Sequence, residues 1–235
     1  MVFVALSEMA GDFGVTLRTI SWVVIVQGLT ISAVMMPMGR LGDIIGRRKV
    51  YLIGLVVFGI GMASTALSTV FAILIISRVI SAIGNSMVQS VATAMTVSVF
   101  PENQRGKALG MQATLVAAGI ATGPVAAGLL LQFFSWQSIF WMIMIPTGIS
   151  LVLGYTLLSE QLVSRNVPNK RPAFDWTGAV VSALVITIGV VLINNPFGIG
   201  VLSPLMIGGA TSVIALLAIF IWWELKSDSP MLQLR

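Results

Sequence analysis

One arginine lies inside an otherwise apolar part of the chain. Arg78 falls within the apolar run 71–95, and a lone arginine on an isolated membrane helix costs at least about 2.5–3.5 kcal/mol. At 100° per residue, Ser81, Asn85 and Gln89 fall on nearly the same line as Arg78. The spacing predicts a polar helix face that lines a cavity or packs on polar partners. A guanidinium there favours the ionised form of a nearby acid, although it keeps its own proton.

A second pattern combines glycines with opposite charges in a short connector. Gly39, Gly42 and Gly46 permit a tight turn between two helices. Asp43 is within salt-bridge reach of Arg47 if the turn is helical, because residues i and i+4 face each other. A carboxylate there is also suited to the positive N-terminus of a neighbouring helix. A basic loop with one charge pair would explain the arginines, but not three glycines and an acid in this register.

A third pattern lies further along the chain, in the string G-I-A-T-G-P-V-A-A-G at 119–128. Gly119, Gly123 and Ala126 share one helix face, and small residues at such spacing let another helix approach closely. Pro124 removes one backbone donor and favours a kink. Close helix packing would by itself explain this pattern.

Composition identifies the surroundings of these residues. The chain of 235 residues is 57% hydrophobic and 9% charged, whereas soluble domains have about 25% charged residues. Lipid must therefore be the solvent for much of the surface. The chain contains no cysteine and no histidine, and its spans lack the paired carboxylates of acid–base catalysis. We expect a protein that is not an enzyme and has no metal, no cofactor and no nucleic-acid partner.

Apolar runs long enough to cross a bilayer follow one another along the chain. A spanning helix needs about 20 mostly apolar residues, and such runs occur at 19–38, 50–69, 71–95, 108–131, 137–158, 176–195 and 204–223. Residues 1–10 are apolar but about half the necessary length, so the chain is expected to begin inside a helix. The predicted connectors are 11–18, 39–49, 100–107, 132–136, 160–175 and 196–204. The sequence predicts an all-α polytopic transmembrane bundle.

Charge asymmetry between the connectors predicts the orientation. The predicted connectors and tail on one side carry Arg40, Arg47, Arg48, Lys49, Arg105, Lys107, Arg165, Lys170, Arg171, Lys226 and Arg235. The other side carries only Arg18. Lys and Arg accumulate in cytoplasmic loops, so we expect the basic loops in the cytoplasm and the protein in the cell (inner) membrane. Predicted span ends carry Trp22, Trp136, Trp176, Trp222 and Trp223, as expected of interfacial anchors.

The connector at 39–49 resembles motif A of the major facilitator superfamily. The matching positions are Gly39, Leu41, Asp43, Gly46, Arg47 and Arg48. In that family the motif lies between the second and third helices, and the resemblance implies that its acid holds the loop against the other half of a carrier. The outward-facing state would thereby be stabilised.

Two further strings are similar to motifs of the same family. R-V-I-S-A-I-G at 78–84 resembles motif B, whose arginine faces the central cavity and is associated with proton coupling, although Ser81 and Ala82 replace a more usual glutamine and glycine. The remaining alternative is a structural arginine bonded to carbonyls of the first helix. Gly119, Gly123, Pro124 and Gly128 match motif C, which implies export.

Segment 136–148 resembles the sixth helix of the drug:proton antiporter group with fourteen helices, with Gln137 in place of a usual arginine. The resemblance implies an N-terminal transmembrane half at 1–158 with a shortened first helix, and a cytoplasmic loop at 159–175. Two linker helices at 176–224 and a cytoplasmic tail at 225–235 would follow.

The expected function is proton-coupled efflux of lipophilic or cationic compounds by a secondary transporter. Its partners would be the bilayer, a small-molecule substrate, protons and a C-terminal half that this chain lacks. The alternative is a fragment of such an exporter that does not transport.

Overall fold

Helices make up nearly all of the part of the chain that the structure describes. The computed structural model describes residues 2–159, 163, 174–195, 198–200 and 203–226. The first helices are α1 (Val2–Asp12), the short α2 (Leu17–Ile20), α3 (Trp22–Ile45) and α4 (Arg47–Ala66). They are followed by α5 (Phe71–Val99), α6 (Glu102–Phe133), α7 (Gln137–Leu157), α8 (Trp176–Asn194) and α9 (Pro204–Lys226).

Seven of these helices are long and apolar enough to cross a membrane, with α2 and α3 forming one span. They correspond one to one with the seven apolar runs in the sequence, which confirms the all-α transmembrane fold. Helix α1, with 11 residues, is shorter than the about 20 residues of a span. Most of the loop predicted at 159–175 and of the tail at 225–235 lies outside the described residues.

Helix α5 lies at the centre of the bundle and packs most extensively against α4 and α3. Glycines allow α4 and α5 to approach to backbone contact. Gly61 faces Ser81 on α5, and Gly84 of α5 faces Gly54 and Phe58 on α4. In lipid, close packing of this kind replaces the hydrophobic drive that associates helices in water.

Buried apolar side chains form a cluster at each end of the bundle. One cluster joins α1, the start of α3, α7 and neighbouring residues, with Met9, Val23 and Phe140 buried in it. The other joins α4 and α5 around Val50 and Val91. Outside these clusters many large apolar side chains are exposed, as in a protein whose solvent is lipid.

Helices α8 and α9 form a pair, and α8 packs on α3. The carboxylate of Asp175 caps α8 by accepting from the N–H of Gly178 at 2.8 Å. It also accepts from the indole N–H of Trp223 on α9 at 3.1 Å. One acid therefore starts the first of these two helices and ties it to the end of the second.

Candidate functional site

The motif at 39–49 is almost entirely helical, so the prediction of a connector over this stretch was wrong. Helix α3 continues through Gly39 and Gly42 to Ile45, and α4 begins at Arg47. Gly46 alone makes the break, with φ of 105° and ψ of 131°. Because side chains with a Cβ rarely adopt this conformation, glycine at this position sets the angle between α3 and α4.

The two other glycines of the motif lie inside α3, and they differ in their surroundings. A methyl group added at Gly42 would lie 2.5 Å from Cγ1 of Val91 on α5, whereas one added at Gly39 would meet only the Cβ of Ser90, at 3.7 Å. Gly42 thus serves close contact between α3 and α5, and not the turn.

This contrast gives a test with a matched control. Gly42→Ala should lower the free energy of unfolding by about 1–3 kcal/mol, because the added methyl overpacks against a stiff valine. Gly39→Ala should be close to neutral, since 3.7 Å is an ordinary van der Waals contact. Unfolding of both purified variants in mixed micelles would measure the difference. Equal stability of the two variants would contradict the role of Gly42.

Asp43 and Arg47 form the predicted i,i+4 ion pair across the helix break. Both Nε and Nη2 of Arg47 donate to Asp43 Oδ1, at 3.2 and 3.0 Å. The Nη1 of Arg47 also donates to the backbone carbonyl of Ala94 near the end of α5, at 3.3 Å. The charge pair therefore connects α3, α4 and α5. Because both side chains are partly exposed, its contribution is chiefly geometric.

The next arginine reaches a different helix. Arg48 Nη2 donates to the backbone carbonyl of Tyr155 at 2.8 Å, close to the C-terminus of α7, where helix carbonyls lack intrahelical partners. The guanidinium also lies 5.7 Å from the centroid of the Tyr155 ring, within the range of a cation–π contact. Leu41, the remaining matched position, packs on the cluster around Val50 and Val91. The motif thus ties four helix ends together.

Arg78 is a charged residue buried at the centre of the bundle. Its side chain is 1% exposed. The Nη2 donates to the side-chain carbonyl of Gln27 and the Nε to the backbone carbonyl of Val23 at 3.5 Å, both on α3. The guanidinium carbon lies 5.5 Å from the ring centroid of Phe140 on α7. The alternative of a structural arginine predicted backbone carbonyl partners on the first helix. In the structure the backbone carbonyl that Arg78 contacts, that of Val23, belongs to α3.

One donor of this guanidinium remains unused. The Nη1 of Arg78 is buried and has no hydrogen-bond partner in the described part of the chain. An unsatisfied donor of a buried charged group carries a desolvation cost. The contacts with α3 and α7 therefore leave one donor of this cation unsatisfied, and that donor is enclosed by protein.

The other members of the polar line differ in burial. Ser81 is fully buried and donates to the carbonyl of Arg78 at 2.9 Å, within its own helix. Asn85 is half-buried, and Gln89 is exposed, with its amide donating to Asn85 Oδ1 at 3.1 Å. The line therefore runs from the centre of the bundle to its surface.

The glycine face predicted on 119–128 is only partly occupied. Gly123 is buried, together with Ala127 one turn later. No atom of the described residues comes within 4 Å of a methyl group built at Gly119 or Gly128. Pro124 is exposed, and α6 continues through it from Glu102 to Phe133. The face of Gly119 and Gly123 therefore has room for another helix at Gly119, whereas Gly128 lies on the opposite side of α6.

Sequence reasoning did not identify several residues of this arrangement. Gln27, the side-chain partner of Arg78, is a single polar residue in an apolar run, and nothing else in the sequence indicated its pairing with Arg78. Trp136 was predicted as an interfacial anchor but is buried. Its indole N–H donates to Asp12 Oδ2 at 2.6 Å and its backbone N–H to Glu8 Oε1 at 3.2 Å. The i,i+4 spacing of those two acids was the available signal.

A family model matches most of this chain. The model of the Major Facilitator Superfamily matches residues 1–228. The chain belongs to this superfamily. Among the described residues, no group of acidic side chains is arranged to hold a metal ion.

Three relatives of this chain are named for different compounds. The chain is 34% identical to the riboflavin transporter RibZ of Clostridioides difficile over 193 residues. This aligned region is 82% of this chain and 41% of RibZ. The chain is 29% identical over 235 residues to the multidrug resistance protein Stp of Mycobacterium tuberculosis, covering 100% of this chain and 43% of Stp. It is also 29% identical to the methylenomycin A resistance protein of Bacillus subtilis, covering 99% and 49%. The chain spans less than half the length of these curated relatives.

Proposed function

We propose that this chain forms the N-terminal part of a proton-coupled exporter of lipophilic or cationic compounds. The observation that carries the proposal is Arg78, a buried cation on the central helix with one donor unused. A charge held at this depth is costly unless it has a function or strong partners. Neighbouring polar residues continue from it to the surface of the bundle.

The proposed transport cavity lies between this chain and a second half. The relatives are more than twice as long as the matched region, and carriers of this kind bind substrate near the midplane between two halves. Asn85 and Gln89 would line the N-terminal side of that cavity, with Arg78 and Ser81 buried beneath them in the same polar line. The open position at Gly119, on the α6 face that it shares with Gly123 and Ala126, would receive a helix of the second half.

Asp43, Arg47 and Arg48 would act at the gate. They join the ends of α3, α4, α5 and α7 into one unit, and a rigid unit can rock as a body against the other half. Asp43 is half exposed, so its second oxygen can bind a group of that half in the outward-facing state.

Export is favoured over uptake by the names of two relatives and by the motif at 119–128. Stp and the methylenomycin A protein are named for resistance. RibZ is named as a riboflavin transporter, which makes riboflavin the second candidate substrate. Competition by riboflavin in the assay below would distinguish the two.

Dye efflux from energised cells tests the proposal. The chain would be expressed within a carrier of the relatives' full length, and accumulation of several cationic dyes would be compared with and without a proton ionophore. We expect low accumulation that rises when the gradient collapses. Equal accumulation under both conditions for every dye would exclude proton-coupled efflux of these compounds. Expression of residues 1–235 alone tests the alternative of a chain that does not transport.

Orientation is part of the same proposal. Arg47 and Arg105 bond to carbonyls near the end of α5, so the ends of the helices that carry them lie together. By the excess of Lys and Arg in cytoplasmic loops, we place that end in the cytoplasm. Because the chain lacks cysteine, single cysteines at exposed Lys107 or Arg18 can be labelled with an impermeant reagent. Labelling of Lys107→Cys in intact cells would reverse the assignment.

A further inference from the structure

A groove of about 600 Å³ runs between α4 and α7 on the outside of the bundle. It is lined by Leu52, Ile53, Val56, Leu151, Val152, Tyr155 and Thr156. These side chains are almost all apolar, and no other helix of the described chain is among the lining. At this position in a spanning bundle, the groove opens toward the hydrocarbon of the bilayer.

Arg48 lies beside one end of the groove. This residue lies one helical turn before Leu52 on α4, and its guanidinium lies over the ring of Tyr155, which is itself part of the lining. Lys49 adds a second cation in the same turn. A positive rim therefore joins an apolar channel at the level where the helices leave the membrane.

Arg48 has donors left for a ligand. A guanidinium carries five N–H donors. Its Nη2 donates to the Tyr155 carbonyl and its Nε is enclosed by protein, whereas its Nη1 makes no hydrogen bond to the described residues. Guanidinium groups match phosphate geometry through paired hydrogen bonds.

We propose that this groove binds an anionic phospholipid. Its phosphate would lie against Arg48 and one acyl chain would follow Leu52, Ile53 and Val56 into the membrane. Charge complementarity selects this occupant, because the Nη1 of Arg48 is left without a protein partner among the described residues after the contacts with Tyr155 are made. Basic pockets between membrane helices on the cytoplasmic side bind anionic headgroups for the same reason.

A fluorescence quenching experiment on the full 235-residue chain tests the inference. Thr156 lines the groove and bonds only to carbonyls of its own helix, and the chain has no native cysteine. A bimane label on Thr156→Cys would therefore report on the groove alone. The protein would be placed in nanodiscs of phosphatidylcholine containing either brominated phosphatidylglycerol or brominated phosphatidylcholine at equal mole fraction.

We expect stronger quenching by brominated phosphatidylglycerol than by brominated phosphatidylcholine. Arg48→Gln should lower that preference by roughly fivefold, as for the loss of one cation near an anionic surface. Lys107→Gln removes an exposed cation from α6 and should leave the preference unchanged. Equal quenching by the two lipids, or an unchanged preference in Arg48→Gln, would overturn the proposal.

A second variant pair leaves Arg48 in place and so separates loss of the site from misfolding. Ile53→Trp fills the groove and should reduce quenching by both lipids. Ile60→Trp lies two turns further along α4, is also exposed, and lies outside the groove, so quenching should stay at the wild-type level. Unchanged quenching in Ile53→Trp would exclude an acyl chain from the groove. A label that neither lipid quenches would show that protein covers this face, which also overturns the proposal.

Discussion

Replacing Arg78 with methionine should reduce gradient-dependent efflux by about tenfold or more, because a hydrogen bond to a charged group is worth about 1.5–3 kcal/mol. Methionine keeps much of the length and volume of the side chain, so the packing against Phe140 should persist. It removes the positive charge and the unused Nη1 donor. The carrier should therefore insert and fold but couple poorly to the proton gradient. Dye accumulation with and without an ionophore measures the effect.

The controls separate charge from geometry. Arg78→Lys keeps the positive charge but loses the forked guanidinium that donates to both Gln27 and Val23. Its efflux should therefore be lower than that of the native protein and higher than that of Arg78→Met. Gln27→Leu removes one partner of the guanidinium without touching its charge. Membrane yield and thermal stability of each variant identify any loss due to misfolding. Normal efflux by a stable Arg78→Met variant would remove Arg78 from the mechanism and leave it a structural residue.

Replacing Gly84 with alanine should lower the free energy of unfolding by about 3 kcal/mol, the upper part of the range for overpacking. The added methyl would lie 2.7 Å from both the Gly54 carbonyl oxygen and the Phe58 Cα. Helix backbones cannot swing aside as a flexible side chain can, so α4 and α5 must separate. Unfolding in mixed micelles, monitored by circular dichroism, measures the change.

Gly59→Ala is the matched control for Gly84→Ala. Gly59 lies on α4, and a methyl there would meet nothing within 4 Å among the described residues. Alanine is a better helix former than glycine by about 1 kcal/mol, so this variant should equal or exceed the native stability. If both variants lost stability equally, the cause would be loss of glycine as such, and the close contact between α4 and α5 would not be the reason.

Composition and pattern determined much of this protein. The excess of apolar residues requires lipid as the solvent, and the length of each apolar run predicts one span. The seven membrane-spanning helices of the described residues could therefore be predicted from the sequence. The i,i+4 spacing of Asp43 and Arg47 predicted their ion pair because that geometry is local to a helix. Arg78 could be assigned to the interior because a charge is not tolerated against lipid.

Contacts between helices were decided only by the tertiary structure. A glycine in the sequence shows that another helix can approach closely, but it does not show which helix does so. In the structure Gly42 contacts α5, Gly46 forms the break between α3 and α4, and Gly84 contacts α4. The pairing of Arg78 with Gln27 joins residues 51 positions apart, and that of Arg48 with Tyr155 joins residues 107 apart. Neither has a local pattern, because each depends on how helices distant in sequence pack side by side.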